Sequence, residues 1–199
     1  EITAEGRTIR CAPLTTRSAV LPVCLPGQAD APRPTRGSRG SEGRTGFRKK
    51  EEKEMLKGIP QILSPELLMV LCEMGHGDRI VISDGNFPAE SMGKDAIVIR
   101  CDGHGVPELL DAILQLMPLD TYVEKPVTLM EVVPGDDVET PIWDTYKDII
   151  KKYDSRGDAC VGNIERFAFY EEAKKAYAII ATSEKALYAN IMLQKGVVV

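Results

Sequence analysis

The pattern of apolar and polar positions changes near residue 55. Beyond it, apolar residues recur at helical or strand spacing, whereas residues 1–54 show no sustained period of 2 or 3.6. Residues 1–54 also contain five prolines, six glycines and a single aromatic residue, Phe47. Such a segment cannot bury enough apolar surface to offset its chain entropy. We therefore predict a disordered or non-native N-terminal extension over residues 1–54, a natural start at Met55, and one folded domain over residues 55–199.

Four helices are predicted in the folded domain. Ser64 followed by Pro65 is typical of a helix start, because serine caps the first turn and proline suits the first helical position. The apolar residues that follow recur at helical spacing as far as Gly75, a residue type that commonly ends helices. Similar patterns predict helices that begin at Pro107, Pro141 and Arg166.

Short apolar runs of strand length separate these helices. They cover residues 79–84, 97–100, 127–133, 177–182 and 189–194. Strands that alternate with helices are typical of α/β domains. The expected fold is a single layered α/β domain with helices packed on a central sheet.

The net charge differs between the two parts of the chain. Residues 1–54 carry 11 Lys and Arg against 7 Asp and Glu, a net charge of +4, whereas residues 55–199 carry 14 against 23, a net charge of −9. An acidic domain repels polyanions, so we expect no nucleic-acid partner. No apolar run approaches the roughly 20 residues of a membrane span. A small, neutral, polar ligand fits this composition better.

The chain has five cysteines, an odd number, and none of them forms a C-x-x-C pair. This argues against a disulfide framework and against a zinc cluster. Unpaired thiols are typical of a reducing compartment, so we expect a cytoplasmic protein.

The first candidate for chemistry is His76, which lies between Gly75 and Gly77 at the junction of a helix and a strand. Asp84 follows that strand, and a histidine with a nearby carboxylate can transfer protons near neutral pH. The two glycines lack the third glycine of a dinucleotide fingerprint and follow a helix, which argues against a nucleotide site. From spacing alone, an ordinary histidine in a turn remains an alternative.

Further candidates are weaker. His104 and Asp102 could join His76 and Asp78 around a metal, but the spacing matches no known metal template, so a turn with a solvated histidine is favoured. Arg166 and Tyr170 are four residues apart on a helix and share a face, which also suits an ordinary amphipathic helix.

In combination, four segments of the sequence resemble one family. They are Met74-Gly-His-Gly-Asp78, Asp84 with Asn86-Phe-Pro88, Arg166-Phe-x-Phe-Tyr170, and Tyr188-x-Asn190. Their kind and order are similar to those of the fucose mutarotase and ribose pyranase family, and residues 119–123 resemble its animal fucose mutarotase members. The resemblance extends over about residues 56–198.

The resemblance implies a cofactor-free isomerase, without a metal, that interconverts the α and β anomers of free L-fucose and forms a homo-oligomer. It implies His76 as the general acid–base and Tyr170 as its partner in catalysis. The residues expected to hold the sugar are Asp84, Asp120, Arg166, Tyr188 and Asn190. Two alternatives remain: interconversion of pyranose and furanose rings, as in a ribose pyranase, and a non-catalytic monosaccharide-binding protein.

Two positions depart from the family pattern. His104 stands where a leucine or a similar residue is expected. Ala189 stands where glycine is usual between the tyrosine and the asparagine, and it adds a methyl group near the sugar.

Overall fold

The structure, a computed structural model, describes residues 56–198. The predicted boundary at Met55 and the predicted disorder of residues 1–54 lie outside the described residues. Within residues 56–198 the helices are α1 Pro65–Glu73, α2 Ala89–Met92, α3 Val106–Leu114, α4 Pro141–Tyr153 and α5 Arg166–Ala173, with one 3-10 turn, Gly157–Cys160. The strands are β1 Arg79–Ser83, β2 Ile97–Cys101, β3 Val127–Met130, β4 Val161–Ile164, β5 Ala178–Thr182 and β6 Ile191–Gln194.

The helix starts follow from local capping. The Ser64 hydroxyl accepts a hydrogen bond from the Leu67 N–H at 3.1 Å, as the sequence predicts. At α5 the carboxylate of Glu165 accepts bonds from the N–H groups of Phe167 and Ala168, at 2.8 and 3.0 Å. These backbone bonds hold the pKa of Glu165 below its usual value. The start of α5 is therefore well defined, which fixes the positions of the side chains on its first turns.

The six strands form one mixed sheet in the order β2-β5-β1-β6-β3-β4. Strand β6 is antiparallel to both of its neighbours, β1 and β3, and the other pairs are parallel. Five strands therefore end at the same end of the sheet, here called the carboxyl end, and β6 begins there. At the opposite end, here called the amino end, those five strands begin and β6 ends.

Successive residues of the central strands point to opposite faces of the sheet and fill two cores. Ile80 and Ile82 of β1 pack on the face covered by α1, α3 and α4, whereas Val81 packs on the face covered by α2 and α5. Each of these side chains is fully buried, and burial of one such aliphatic side chain contributes about 1.5–3 kcal/mol. The predicted layered α/β fold is confirmed.

Among the described helices, none has both the length and the apolar character needed to cross a bilayer.

Two elements are absent from the sequence prediction, α2 and β4. Strand β4 has only two apolar residues, separated by Gly162 and Asn163, and it pairs with β3 alone. Strand β3 is also shorter than predicted and ends at Met130 rather than at Val133. The backbone N–H of Val133 lies 3.4 Å from the phenol oxygen of Tyr188 instead of joining the sheet.

Candidate active site

A cavity of about 230 Å³ opens at the carboxyl end of the sheet. This volume is below the range of pockets for drug-sized molecules and suits a smaller ligand. Its lining includes five of the seven predicted site residues: Asp84, Arg166, Tyr170, Tyr188 and Asn190.

Asp84 and Asn190 form a reciprocal pair at the floor of this cavity, because the end of β1 lies beside the start of β6. The Asp84 N–H donates to Asn190 Oδ1 at 2.9 Å, and Asn190 Nδ2 donates to Asp84 Oδ2 at 2.7 Å. Burial raises the pKa of Asp84, and the hydrogen bonds from Asn86 and Asn190 partly oppose that rise. One Asn190 N–H and further carboxylate lone pairs stay available, a donor and an acceptor that match two adjacent sugar hydroxyls.

The Tyr188 backbone adopts the left-handed conformation, with φ at 56°. A non-glycine residue held there stores about 1–3 kcal/mol of strain unless its neighbours hold it in place. Helix α4 supplies that hold: Trp143 Nε1 donates to the Tyr188 carbonyl at 2.8 Å, and the Tyr146 phenol donates to the Ala189 carbonyl at 2.8 Å. The loop that carries Tyr188 and Asn190 is therefore fixed from behind by α4.

Asp136 is a cavity residue that the sequence analysis missed. The Tyr188 phenol donates a hydrogen bond to the Asp136 carboxylate, which raises the pKa of Tyr188. In the sequence, Asp136 follows Gly135 in a polar loop and has the composition of an ordinary turn. What distinguishes Asp136 from an ordinary turn residue is its hydrogen bond with Tyr188, which lies 52 residues further along the chain.

Arg166 reaches the cavity from the first turn of α5. The guanidinium carbon lies 5.3 Å from the centre of the Phe167 ring and 5.8 Å from that of Tyr170. The Nε atom of Arg166 is buried and has no hydrogen-bond partner among residues 56–198. A buried donor without a partner beside a cavity is suited to a ligand oxygen.

His76 lies at the amino end of the sheet, on the loop between α1 and β1. Gly77 has a φ of 87°, which glycine adopts without strain, and its N–H donates to the carbonyl of Lys195 at 2.9 Å. The half-exposed imidazole lies against the ring of Tyr122, with centroids 5.3 Å apart. Its Nε2 atom is 3.1 Å from Asp120 Oδ1.

Asp120 thus lies beside His76 and not in the cavity. Burial by itself raises the pKa of Asp120, but hydrogen bonds from the Tyr122 N–H and from His76 outweigh it and hold this pKa below its usual value. The Tyr122 N–H donates at 2.9 Å, and Gln194 Nε2 donates to the second carboxylate oxygen at 3.0 Å.

The predicted site residues therefore form two groups at opposite ends of the sheet. Strand β1 separates them, and its five residues span about 13 Å between the first and last Cα atoms at roughly 3.3 Å per residue. His76 and Asp120 form the amino-end group, whereas the other five residues line the cavity. Within one chain the two groups do not meet.

The alternative metal set is divided in the same way. Asp102 and His104 follow β2 at the carboxyl end, whereas His76 and Asp78 precede β1 at the amino end. The His104 ring lies 3.1 Å from the carboxylate of Glu108, one turn along on the exposed face of α3.

A layered α/β domain with a small cavity of paired donors and acceptors, and with a separate imidazole–carboxylate pair, is suited to a small polyhydroxylated ligand. Residues 57–198 match the model of the RbsD / FucU transport protein family, and the chain belongs to this family. The family resemblance of the four sequence segments is confirmed.

Individual relatives cover the same part of the chain. The fucose mutarotase of Homo sapiens is 52% identical over 149 residues, which are 71% of this chain and 94% of that protein. The crystal structure of FucU from Bifidobacterium longum is similar with a TM-score of 0.71 and 67% identity, over 72% of this chain and 100% of that one. The fucose mutarotase of Streptococcus pneumoniae in complex with L-fucose has a TM-score of 0.67 and 52% identity, over 72% of this chain and 100% of that one.

Proposed function

We propose that this chain is an isomerase that interconverts the α and β anomers of free L-fucose. The observation that carries the proposal is the cavity at the carboxyl end, where the Asp84–Asn190 pair and the unpartnered Nε of Arg166 offer directed partners to sugar hydroxyls. Identity of about half of the residues to proteins named fucose mutarotase supports the assignment of reaction and sugar.

Mutarotation requires two proton transfers and no redox step. The hemiacetal ring opens when a proton reaches the ring oxygen and another leaves the anomeric hydroxyl. The aldehyde then rotates, and the hydroxyl closes the ring on the opposite face of the carbonyl group. An imidazole can both give and take protons near neutral pH, and one positioned group contributes roughly 10²–10⁴-fold to the rate. No cofactor is required by this chemistry.

We assign to these residues the roles that the family resemblance implies. His76 is the general acid–base, and Tyr170 provides a second proton-transfer group inside the cavity. Asp84, Asn190, Tyr188 and Arg166 hold the sugar hydroxyls.

We further propose a homo-oligomer in which His76 of one copy completes the cavity of the next. The separation of the two groups along β1 motivates this arrangement. Apolar side chains are exposed beside each group. Tyr122, 80% exposed, lies tilted against the His76 ring, whereas Phe167 and Leu187, 64% and 51% exposed, lie by the cavity. Exposed apolar side chains of this kind mark interaction surfaces. Contacts between two unlike surfaces repeat from copy to copy and can close into a ring.

We place the enzyme in the cytoplasm. Within the described residues the thiols of Cys72, Cys101 and Cys160 are unpaired, in keeping with a reducing compartment.

Saturation-transfer NMR on L-fucose and on D-ribose tests the proposed reaction. We expect the chain to accelerate magnetisation transfer between the two anomeric signals of L-fucose above the spontaneous rate. Acceleration only of the exchange between pyranose and furanose signals of D-ribose would assign a ribose pyranase instead. Binding of L-fucose without acceleration of any exchange would assign a non-catalytic sugar-binding protein.

A further inference from the structure

The carboxylate of Asp120 faces three donors from the protein itself. It is 2% exposed, and its Oδ1 atom faces His76 Nε2 at 3.1 Å and accepts the Tyr122 N–H at 2.9 Å. Its Oδ2 atom accepts Gln194 Nε2 at 3.0 Å. One acceptor position is left on Oδ2, but it is buried with the rest of the side chain. This burial argues against the direct sugar contact that the resemblance implies for Asp120.

An ionised carboxylate can only accept hydrogen bonds. The ring nitrogen of His76 that faces Asp120 must therefore carry a hydrogen whenever the two are bonded. In the neutral ring the other nitrogen, Nδ1, then has a free lone pair. Which nitrogen of a histidine exchanges protons is set by the bond that the other one makes.

Gln194 fixes the orientation of this carboxylate from the last residue of β6. Its side-chain oxygen accepts from Arg79 Nε at 3.3 Å, so its NH₂ group is the end that points at Asp120. Arg79 is itself held by an ion pair with Glu172 on α5. The amide of Gln194 thus has a single orientation that satisfies both of its neighbours.

The backbone of Asp120 is anchored as firmly as its side chain. Its N–H donates to the Gln194 carbonyl at 3.0 Å, and its carbonyl accepts from Arg156 at 2.9 Å. The adjoining segment approaches Gly196 so closely that a Cβ atom there would lie 2.4 Å from the Leu119 carbonyl oxygen. The carboxylate is therefore held in place independently of any ligand.

We propose that Asp120 and Gln194 are positioning residues that hold the His76 ring in its Nε2–H tautomer and leave Nδ1 to exchange protons with the substrate. The proposal rests on the acid–base role of His76 proposed above. Asp120 orients the His76 ring, and Gln194 orients the Asp120 carboxylate. A similar carboxylate–imidazole bond sets the histidine tautomer in serine protease triads, where exchanging the carboxylate for an amide lowers the turnover rate by about 10⁴-fold.

The tautomer is measured directly by ¹⁵N NMR on histidine-labelled protein. The chain contains two histidines, so a His104→Ala variant assigns both rings. We expect the His76 ring, at a pH where it is neutral, to show the two-bond proton–nitrogen correlations of the Nε2–H form, and Asp120→Asn to change this pattern. A wild-type ring in the Nδ1–H form would overturn the proposal, whatever the activity.

Kinetics distinguish a positioning residue from a sugar ligand. For Asp120→Asn we expect kcat of anomer exchange to fall by about 10²-fold or more, with KM for L-fucose within about twofold. For Gln194→Met, which removes one hydrogen bond to the carboxylate, we expect kcat to fall about tenfold. Asp111→Asn is the matched control, an exposed α3 carboxylate paired with Lys152, and it should change neither constant. A rise in KM with kcat preserved in Asp120→Asn would make Asp120 a sugar ligand and refute the proposal.

The two proposals fail in different ways. If His76→Ala retains full activity, the acid–base role of His76 is wrong, even if the ring has the expected tautomer. If His76→Ala is inactive but Asp120→Asn and Gln194→Met keep the wild-type ring spectrum and kcat, only the positioning role is wrong. Should Asp120→Asn fail to fold, the wild-type spectrum and Gln194→Met still decide.

Discussion

The two histidines show how similar residues acquire different surroundings. Both lie next to glycines, and both have a carboxylate 3.1 Å from a ring nitrogen. The partner of His104 is Glu108, an exposed residue on the first turn of the helix that follows it, and such exposed pairs contribute little. The partner of His76 is the buried Asp120, which is held by bonds from two further segments. Of the two rings, only that of His76 is therefore oriented by a residue that distant segments of the chain hold in place.

The first prediction compares these two rings. We expect His76→Ala to slow anomer exchange by about 10²-fold or more, the contribution of a positioned proton-transfer group. His104→Ala should leave the rate unchanged, and both variants should unfold near the wild-type temperature because neither ring belongs to the core. Saturation-transfer NMR and thermal unfolding of the two variants check this. Loss of activity in His104→Ala alone would mean that the site is misplaced.

The second prediction concerns the acidity of Asp84. Its pKa is raised above 3.8 by burial, so the carboxylate takes up a proton at a higher pH than an ordinary aspartate does and loses acceptor capacity for the sugar. Affinity for L-fucose should fall as the pH is lowered from about 7 toward that pKa. The folded state holds this proton more tightly than the unfolded chain, so the same titration raises the free energy of unfolding as the pH falls. Protonation of Asp84 therefore weakens sugar binding without itself destabilising the fold.

Calorimetric or NMR titrations with L-fucose across this pH range measure the effect. Asp84→Asn should bind about 10-fold to 100-fold more weakly at neutral pH, because a hydrogen bond to a charged group is worth about 1.5–3 kcal/mol. It should also lose most of the acid dependence. An equally steep acid dependence in Asp84→Asn would assign the titration to another group.

At the scale of elements, the sugar cavity depends on α4, which contributes no predicted site residue. Helix α4 packs behind the loop between β5 and β6, and two of its side chains bond to consecutive carbonyls of that loop. Burial raises the pKa of the Tyr146 phenol, which keeps it protonated as a donor to Ala189. The left-handed residue Tyr188 is thus held by a helix more than 30 residues earlier in the chain.

The third prediction tests this support. Tyr146→Phe leaves the buried Ala189 carbonyl without its donor, and we expect the free energy of unfolding to fall by about 1–3 kcal/mol. Affinity for L-fucose should fall as well, because Asn190 belongs to the same loop. Tyr177→Phe removes an exposed bond to Glu73 and serves as the control, with an expected change within about 0.5 kcal/mol. Urea unfolding and sugar titration check both variants, and equal effects in the two would argue against the loop support.

At the scale of the whole molecule, the sheet keeps His76 away from the cavity at its carboxyl end. A five-residue strand cannot bring its two ends together, and both ends are fixed by pairing with β5 and β6. The proposed completion of each cavity by a neighbouring copy would bring the two groups together.

The fourth prediction follows from shared sites. We expect His76→Ala and Asn190→Ala each to be inactive alone, and a mixture refolded together in equal amounts to recover about a quarter of the wild-type activity. In a random ring, about a quarter of the interfaces pair an intact His76 with an intact cavity. Simple mixing of folded variants that exchange no subunits is the control and should stay inactive. Absence of any recovery in the refolded mixture would place each complete site within one chain.

The apolar patterns were sufficient to predict the layered fold, because burial on one face of a helix or on both faces of a strand leaves a period that can be read in the sequence. They also predicted the first residues of α1 and α5, and the Ser64 cap of α1 could be predicted because capping is local. The family motifs predicted five of the residues that line the cavity, but not Asp136. These features depend on residues close to one another along the chain.

Only the tertiary structure decided which of these residues meet. Strand order places the start of antiparallel β6 beside the end of β1, so Asn190 joins Asp84 across 106 residues. The same topology places Asp120 beside His76 and away from the sugar cavity, and it brings Asp136 to Tyr188. Polar pairings of this kind leave no periodic trace in the sequence, because each depends on the register and direction of strands that are distant along the chain.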